Sequence, residues 1–284
     1  MNRKQEKERE KESDRISGKG REQGMKTKTE IKIGDAFGHG KACIGFVTGG
    51  DPSVKKSEEF VRKMVQAGCD LIEIGIPFSD PIAEGPVIQE ANLRALSAGI
   101  KMEHMFGLAA GVREKTDVPM VFLTYLNPVF RYGYEAFCAK CEETGVNGVL
   151  IPDMPYEEKK ELLPYAEAHN VDLISVITPA PEQRIRMIAA EAKGFLYVMP
   201  SMGVTGGTGE INTDLGKIIA LIRSVTDVPA AVGFRAGTSG QAAEMARPAD
   251  GVIMESAIVS LIARHGEDAG EYIYDYVKKM KAAL

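Results

Sequence analysis

The sequence has little of three features that would direct it to a membrane, to nucleic acid or to an oxidising compartment. It contains no long apolar run, which predicts that no part of it spans a bilayer. Its net charge is −5 at pH 7, so the chain as a whole offers no basic surface for nucleic acid. It has four cysteines and no secretory signal. That combination is typical of reduced thiols in the cytoplasm, which is the expected location.

The cysteines also give little sign of a metal site. Cys138 and Cys141 have the C-x-x-C spacing, but they lie inside a helical pattern and no second Cys or His pair follows nearby. We therefore predict no bound metal in this chain.

What is present is enough for one large domain. The 284 residues are 44% hydrophobic and 26% charged, as in an ordinary soluble enzyme with a full core. Residues 1–24 differ, because Met1 and Ile16 are their only apolar side chains and the rest are mostly charged or small. Such a segment cannot bury a core. The predicted division is a disordered charged tail over residues 1–24 and a single catalytic domain over residues 25–284.

An acidic residue inside an otherwise apolar strand is the most informative local feature. In the segment LIEIGIPFSDPIAEGP, residues 71–86, alternation places Ile72, Ile74 and Ile76 on one face and Glu73 on the other. A carboxyl group held on the inner face loses hydration, which raises its pKa towards the range useful for proton transfer near neutral pH. The Pro, Ser, Asp and Gly residues of the following loop favour an acid–base site over a structural ion pair.

Short apolar runs alternate with amphipathic stretches of helical length from Lys41 onward, which indicates repeated βα units. The predicted strands cover residues 42–48, 71–76, 118–124, 148–151, 171–177, 194–199, 228–234 and 251–254. Helices are expected near residues 54–67, 86–98, 103–115, 132–144, 156–169, 182–192, 211–225, 239–246, 256–264 and 267–282.

Eight strands, each followed by a helix, predict an α/β fold of the closed (β/α)8 TIM barrel type, with the site at the carboxyl ends of the strands. A doubly wound open sheet is the alternative. Polar and glycine-rich loops follow the predicted strands, including GGDP, TYLNP, PDMP and PSMGVTGGTGE. Loops after strands seven and eight usually hold phosphate in this architecture, so a small phosphorylated substrate is expected.

At these residues the sequence resembles the tryptophan synthase alpha subunit family. The resemblance runs from about Glu30 to the C-terminus, and GFVTGGDP, IEIGIPFSDPIAEGPVIQEANLRAL and GVTG carry it. It implies a lyase of tryptophan biosynthesis that cleaves indole-3-glycerol phosphate to indole and glyceraldehyde 3-phosphate. It also implies an alpha2beta2 heterotetramer, in which indole is channelled to a beta subunit that holds pyridoxal phosphate, while this chain itself holds no cofactor.

The resemblance assigns roles to particular residues. Glu73 matches the family's principal acid/base, and Glu84 matches a second acid that contacts the indole nitrogen and is normally Asp. The other positions that it assigns to substrate binding are Phe46, Tyr125, Tyr197, Thr205, Gly206, Phe234, Arg235, Ala236, Ser256 and Ala257.

Two departures from the family fall at its phosphate-binding glycines. Arg235 stands in GFRA where GFGI is usual, and Glu255 stands in ESAIV where GSAIV is usual. Both add bulk where glycine allows close approach, and Glu255 would repel a phosphate that Arg235 would attract. Either the two side chains pair beside the phosphate site, or both point to solvent and the backbone amides alone matter.

Three functional hypotheses follow. The first is the lyase, which requires Glu73, Glu84 and a working phosphate site. The second is a catalytically weakened alpha-like subunit that binds and regulates a beta subunit. The third is another phosphate-handling barrel, such as an epimerase or an indole-glycerol-phosphate synthase, which is expected to carry a catalytic Lys on an early strand. The early strands here carry no interior Lys.

Overall fold

The computed structural model describes residues 30–199, 208–234 and 238–284. Within these ranges eight parallel strands pair in sequence order, and the first also pairs with the eighth, so the sheet closes into a barrel. The predicted (β/α)8 fold is therefore confirmed and the open-sheet alternative is wrong. The predicted tail, residues 1–24, lies outside the described residues.

Every strand lies inside an apolar run that the sequence predicts as a strand. The strands are β1 Ala42–Thr48, β2 Leu71–Gly75, β3 Met120–Leu123, β4 Gly148–Leu150, β5 Asp172–Ile177, β6 Leu196–Val198, β7 Ala230–Phe234 and β8 Gly251–Met254.

Helices follow the strands around the outside of the barrel. The α-helices of the described ranges are α1 Val54–Ala67, α2 Pro86–Ser97, α3 Met102–Arg113, α4 Leu126–Tyr132, α5 Tyr134–Thr144, α6 Leu163–Ala168, α7 Glu182–Ala190, α8 Thr208–Arg223, α9 Ser239–Ala246, α10 Ser256–His265 and α11 Ala269–Lys281. Short 3-10 helices cover Ile33–Phe37, Lys159–Glu161 and Gly266–Asp268.

Local sequence sets the ends of these helices, as α1 illustrates. The Ser53 side chain accepts a hydrogen bond from the Lys56 backbone N–H at the start of the helix, and Gly68 ends it at a φ of 106°. Both are ordinary capping residues. Between them, Phe60, Val61 and Met64 are buried against the outer face of the sheet. The capping residues and the apolar face therefore predict the same helix.

Strand alternation divides the barrel into an inner and an outer core. Ala42, Ile44 and Phe46 of β1 pack in the inner cluster, whereas Cys43 and Val47 of the same strand pack outward against the helices. The same period of two places Leu71 of β2 inside. Because side chains fill the inside of the barrel, a substrate is expected at one end of it, and in this fold that is the carboxyl end of the strands.

One loop predicted from the sequence is a helix. TYLNP after β3 begins α4 at Leu126, and the predicted helix over residues 132–144 starts instead at Tyr134. Pro128 is compatible with α4 because it lies in the first turn, where its missing N–H has no helical partner. Gly133, at a φ of 95°, separates α4 from α5.

The helix predicted over residues 156–169 is also shorter than expected. It consists of the 3-10 turn Lys159–Glu161 and the six-residue helix α6. Pro164 occupies the first turn of α6. A proline at that point disfavours helical conformation in the residue before it and cannot extend a helix arriving from the N-terminal side.

The described residues contain no helix that is both long and apolar enough to cross a membrane. Nor do they contain a group of three or more His, Cys, Asp or Glu residues placed to hold a metal ion. Cys138 and Cys141 are buried in α5, and burial raises the pKa of the Cys138 thiol to about 11. Because the thiolate is the reactive form, this thiol is unreactive near neutral pH.

Candidate active site

Glu73 lies inside the barrel in the middle of β2, as the alternation of the strand predicts. Its side chain is 1% exposed, and among the described residues neither carboxyl oxygen has a hydrogen-bond partner. Burial raises the pKa of Glu73 well above its ordinary value, and the nearby carboxyl groups of Glu255 and Glu84 raise it further. This shift favours the protonated form of Glu73, which is the form that can donate a proton.

Glu84 lies in the loop between β2 and α2, and Tyr125 fixes its position. The Tyr125 hydroxyl donates to Glu84 Oε2 at 2.7 Å and accepts from the Ala83 backbone N–H at 3.0 Å. The pKa of Glu84 is raised to about 7, mainly by burial; the Tyr125 hydrogen bond opposes this rise, and Glu255 and Asp153 add to it. Near neutral pH this carboxyl group can therefore accept or release a proton.

Two residues that sequence reasoning did not single out support Tyr125. The Phe78 ring stacks on the Tyr125 ring with their centroids 5.2 Å apart. The Asp153 carboxylate accepts a hydrogen bond of 2.9 Å from the Leu126 backbone N–H at the start of α4. Both lie in loops that the sequence marks as part of the site, PFSDP and PDMP. The sequence therefore predicted that these loops belong to the site, but it did not predict these side-chain contacts.

Phe46 and Tyr197, two further aromatic side chains of the predicted pocket, are both buried in the inner core. Glycines make room for them. A Cβ on Gly75 would lie 2.6 Å from Phe46 Cζ, and a Cβ on Gly233 would lie 2.9 Å from Tyr197 Oη. Any larger residue at either glycine would therefore displace an aromatic ring of the pocket.

Glu255 does not point to solvent, so the solvent alternative for this residue is wrong. It follows the last residue of β8, is half-buried, and its Oε1 accepts a hydrogen bond of 2.7 Å from the Tyr197 hydroxyl. Ile253 packs in the inner core, so a residue two positions further along the chain is directed to the same side. Alternation thus carries the Glu255 side chain into the barrel mouth.

The amino end of α10 lies at the same rim. Ser256 and Ala257 are its first two residues, and the Glu255 side chain makes no capping hydrogen bond to it. The first amide groups of a helix lack helical partners and favour an anion. Glu255 therefore leaves these amide donors uncapped by its own side chain.

Several predicted binding residues are not part of this geometry. Phe234 is the last residue of β7, and its side chain is not described. Thr205, Gly206, Arg235 and Ala236 lie outside the described residues. The predicted pairing of Arg235 with Glu255 therefore stays a prediction.

An ion pair that was not predicted joins the loop after β1 to helix α2 at this rim. Asp51, 1% exposed in the GGDP loop after β1, accepts two hydrogen bonds from the Arg94 guanidinium of α2, at 2.9 and 2.8 Å. Two parallel bonds of this kind fix orientation as well as distance. They hold α2, which follows the Glu84 loop, against the loop after β1.

A closed parallel barrel with a buried acid of raised pKa, a second acid of pKa about 7 and a helix amino terminus at one rim defines a class of protein: a (β/α)8 enzyme that works by acid–base catalysis. Comparison with known proteins gives the family. The family model described as "Tryptophan synthase alpha chain" matches residues 37–284. The chain belongs to the tryptophan synthase alpha chain family.

Individual relatives agree with this assignment. The chain is similar to the tryptophan synthase alpha chain of Lacticaseibacillus casei, with 44% identity covering 89% of this chain and 95% of the relative. It is 47% identical to that of Lactiplantibacillus plantarum, covering 87% and 94%. Among solved structures, one titled as the tryptophan synthase a2b2 complex of Pyrococcus furiosus matches with a TM-score of 0.76 and 28% identity, covering 86% of this chain and 99% of that chain.

Proposed function

We propose that this chain cleaves indole-3-glycerol phosphate into indole and glyceraldehyde 3-phosphate, as the alpha subunit of a tryptophan synthase in the cytoplasm. Membership of the family supports this reaction. The observation that carries its chemistry is the buried carboxyl group of Glu73, which has no hydrogen-bond partner among the described residues and a raised pKa, together with the Tyr125-bound carboxyl group of Glu84, whose charge acts on it. These are a proton donor and a proton acceptor for one substrate.

The reaction moves a proton from a side-chain hydroxyl of the substrate to the ring carbon that bears the side chain. Glu73 donates its proton to this ring carbon, while Glu84 hydrogen-bonds the ring N–H and draws off its proton as positive charge develops. The bond between the ring and the side chain then breaks, and its electrons return to the ring. The hydroxyl becomes the aldehyde, its proton restores Glu73, and the ring nitrogen recovers its proton from Glu84.

The phosphate is assigned to the amino end of α10, directly after β8. The backbone amides of Ser256 and Ala257 are the described donors that support this assignment. Phe46, Tyr125 and Tyr197 supply the apolar walls for the indole ring, while Thr205, Gly206, Phe234, Arg235 and Ala236 stay predicted contacts. The Glu255 carboxyl group near this rim favours the second hypothesis, a weakened subunit that chiefly regulates its partner.

One assay separates the two functions. Purified chain is incubated with indole-3-glycerol phosphate, and indole and glyceraldehyde 3-phosphate are both quantified, with and without a beta subunit. Equal amounts of the two products are expected in both cases. If the chain releases neither product but still raises the rate at which the beta subunit makes tryptophan, it is the regulatory subunit and not the lyase.

The expected partner is a beta subunit that holds pyridoxal phosphate, in an alpha2beta2 heterotetramer. Exposed apolar side chains on the barrel rim support such a docking face. Ile82, in the Glu84 loop, is 80% exposed, and Phe130, on α4, is 66% exposed. Isolated exposed apolar residues are common, but these two lie on the segments flanking the site, where an apolar product would leave.

We predict that Phe130→Ser and Ile82→Ser each weaken the complex with a cognate beta subunit. Removing a large apolar contact from an interface commonly costs about 1 to 2 kcal/mol, which corresponds to roughly a tenfold change in Kd. Tyr272→Ser is the matched control, because Tyr272 is also exposed and aromatic but lies on α11. Kd is measured by titration, and gel filtration checks the stoichiometry. No complex with the parent chain at micromolar concentration would contradict the channelling hypothesis.

The division of the chain into a tail, residues 1–24, and a catalytic domain, residues 25–284, is also a proposal. The family match starts at residue 37, and residues 1–24 have only two apolar side chains, Met1 and Ile16, to bury. Deleting residues 1–24 should therefore leave the melting temperature and the rate of indole release unchanged. A melting temperature several degrees lower would show that the tail packs on the domain.

A further inference from the structure

Glu255 is an acidic side chain of the barrel mouth to which the proposed reaction gives no role. It is half-buried and accepts a hydrogen bond from the Tyr197 hydroxyl at 2.7 Å. The Tyr197 ring is itself held in the inner core and passes close to Gly233, where a Cβ would lie 2.9 Å from the hydroxyl. The bond to Glu255 therefore anchors the hydroxyl end of a ring whose other end is fixed by packing.

Strand register places Glu255 next to the reacting groups. Phe46 of β1 pairs with Glu73 of β2 on one side, while Gly45, one residue earlier, pairs with Met254 of β8 on the other. Glu255 follows Met254 and is thus level with Phe46. Two acidic side chains, Glu73 and Glu255, therefore flank the same phenylalanine at one height in the barrel, and both are directed inward.

Resting on the proposed function, we propose that Glu255 is a positioning residue of the reaction. It holds the Tyr197 ring against the substrate and places a third carboxyl group beside Glu73 and Glu84. The consequence is electrostatic, because a carboxylate beside two other acids makes both of them harder to ionise.

The charged surroundings of the two reacting acids make this consequence specific. The pKa of Glu73 is raised most by burial, then by Glu255 and then by Glu84. The pKa of Glu84 is raised most by burial, lowered by the Tyr125 hydrogen bond, and raised further by Glu255 and Asp153. Glu255 raises the pKa of both acids. In the proposed reaction Glu84 must be ionised and Glu73 must be protonated. The rate should therefore rise with pH as Glu84 ionises and fall again as Glu73 ionises.

Glu255→Gln removes the charge but keeps a side-chain oxygen that can accept the Tyr197 hydrogen bond. The pKa values of Glu73 and Glu84 should both fall, so both limbs of the pH–rate profile should move to lower pH, by on the order of one unit. Tyr197→Phe removes the hydrogen bond but keeps the charge. It should raise KM while leaving the limbs where they are in the parent. Glu255→Gly removes both the charge and the hydrogen bond, so the limbs of its profile should move as those of Glu255→Gln do.

Glu267→Gln is the matched control, because it removes the same charge from the exposed turn just beyond the far end of α10. Its profile should superimpose on that of the parent. A Glu255→Gln profile that also superimposes on the parent would overturn the inference, although parent activity would still support the proposed function.

Carboxyl carbon NMR of the full chain decides the inference without relying on activity. Glutamate carboxyl groups are labelled with carbon-13, and the Glu73 signal is assigned by its loss in Glu73→Gln. Its titration midpoint should be lower in Glu255→Gln than in the parent. An unchanged midpoint would show that Glu255 does not act on Glu73. A parent that releases no indole at any pH, but shows the midpoint shift, would reject the lyase and keep the electrostatic role of Glu255.

Discussion

Glu73→Gln is expected to lower the rate of indole release by about 10² to 10⁴-fold, the usual cost of losing a general acid or base. Gln has nearly the shape of a protonated Glu, so the buried site stays filled, but its amide cannot donate a proton to the ring carbon. Initial rates at saturating substrate measure the effect. Because the lost interaction acts in the transition state, kcat should fall far more than KM rises.

The control for this change is a variant that removes a distant carboxyl group. Glu182→Gln serves, since Glu182 is exposed at the start of α7 on the outside of the barrel. It should retain the parent rate. The melting temperature of Glu73→Gln should not fall, because in the described structure the Glu73 oxygens have no partner to lose. If Glu73→Gln kept activity within about twofold of the parent, Glu73 would have no acid–base role.

Glu84→Gln should have the second largest effect, a loss on the order of 10²-fold, because the ring N–H would lose its proton acceptor. It should also change the shape of the pH–rate profile. The parent is expected to lose activity as the pH falls through about 7, where Glu84 takes up a proton. Gln does not titrate, so the residual activity of the variant should lack this acidic limb. A Gln variant that retained the limb would show that another group is responsible for it.

Two further variants test how Glu84 is held. Tyr125→Phe removes a hydrogen bond that lowers the pKa of Glu84, so the acidic limb should move to higher pH. Glu84→Asp restores the acid usual in the family and shortens the reach by about 1.5 Å, one carbon–carbon bond. It should keep the acidic limb and a substantial part of the rate. A limb that moves to higher pH in Tyr125→Phe would show that Tyr125 lowers the pKa of Glu84. A limb that stays in place would show that Tyr125 only holds the Glu84 side chain in position.

The fold and the principal acid could be predicted from the sequence because both depend on local patterns. Buried parallel strands are nearly continuous apolar runs, and eight of them with intervening helices leave few topologies. Glu73 follows from strand alternation alone. The boundaries of α4 and α6 were harder to predict from the sequence. Gly133 and Pro164 interrupt short segments whose helical pattern is weak.

The contacts among the site loops could not be predicted in the same way. Tyr125 and Glu84 are far apart in sequence, and their bond depends on how two loops fold over the rim. The direction of Glu255 was also misjudged under the solvent alternative, although continuing the alternation of β8 past Ile253 would have placed it inside. Loop residues close to a strand end can thus still follow the period of the strand.

The state of Glu73 at neutral pH is the central claim, and infrared difference spectroscopy tests it most directly. A protonated carboxyl group without a hydrogen bond gives a carbonyl band well separated from that of a carboxylate. Spectra of the parent minus Glu73→Gln at pH 7 should show that band, and the carboxylate band should replace it only as the pH is raised. A carboxylate band for Glu73 at pH 7 would contradict the account, because an ionised Glu73 has no proton to give to the indole ring.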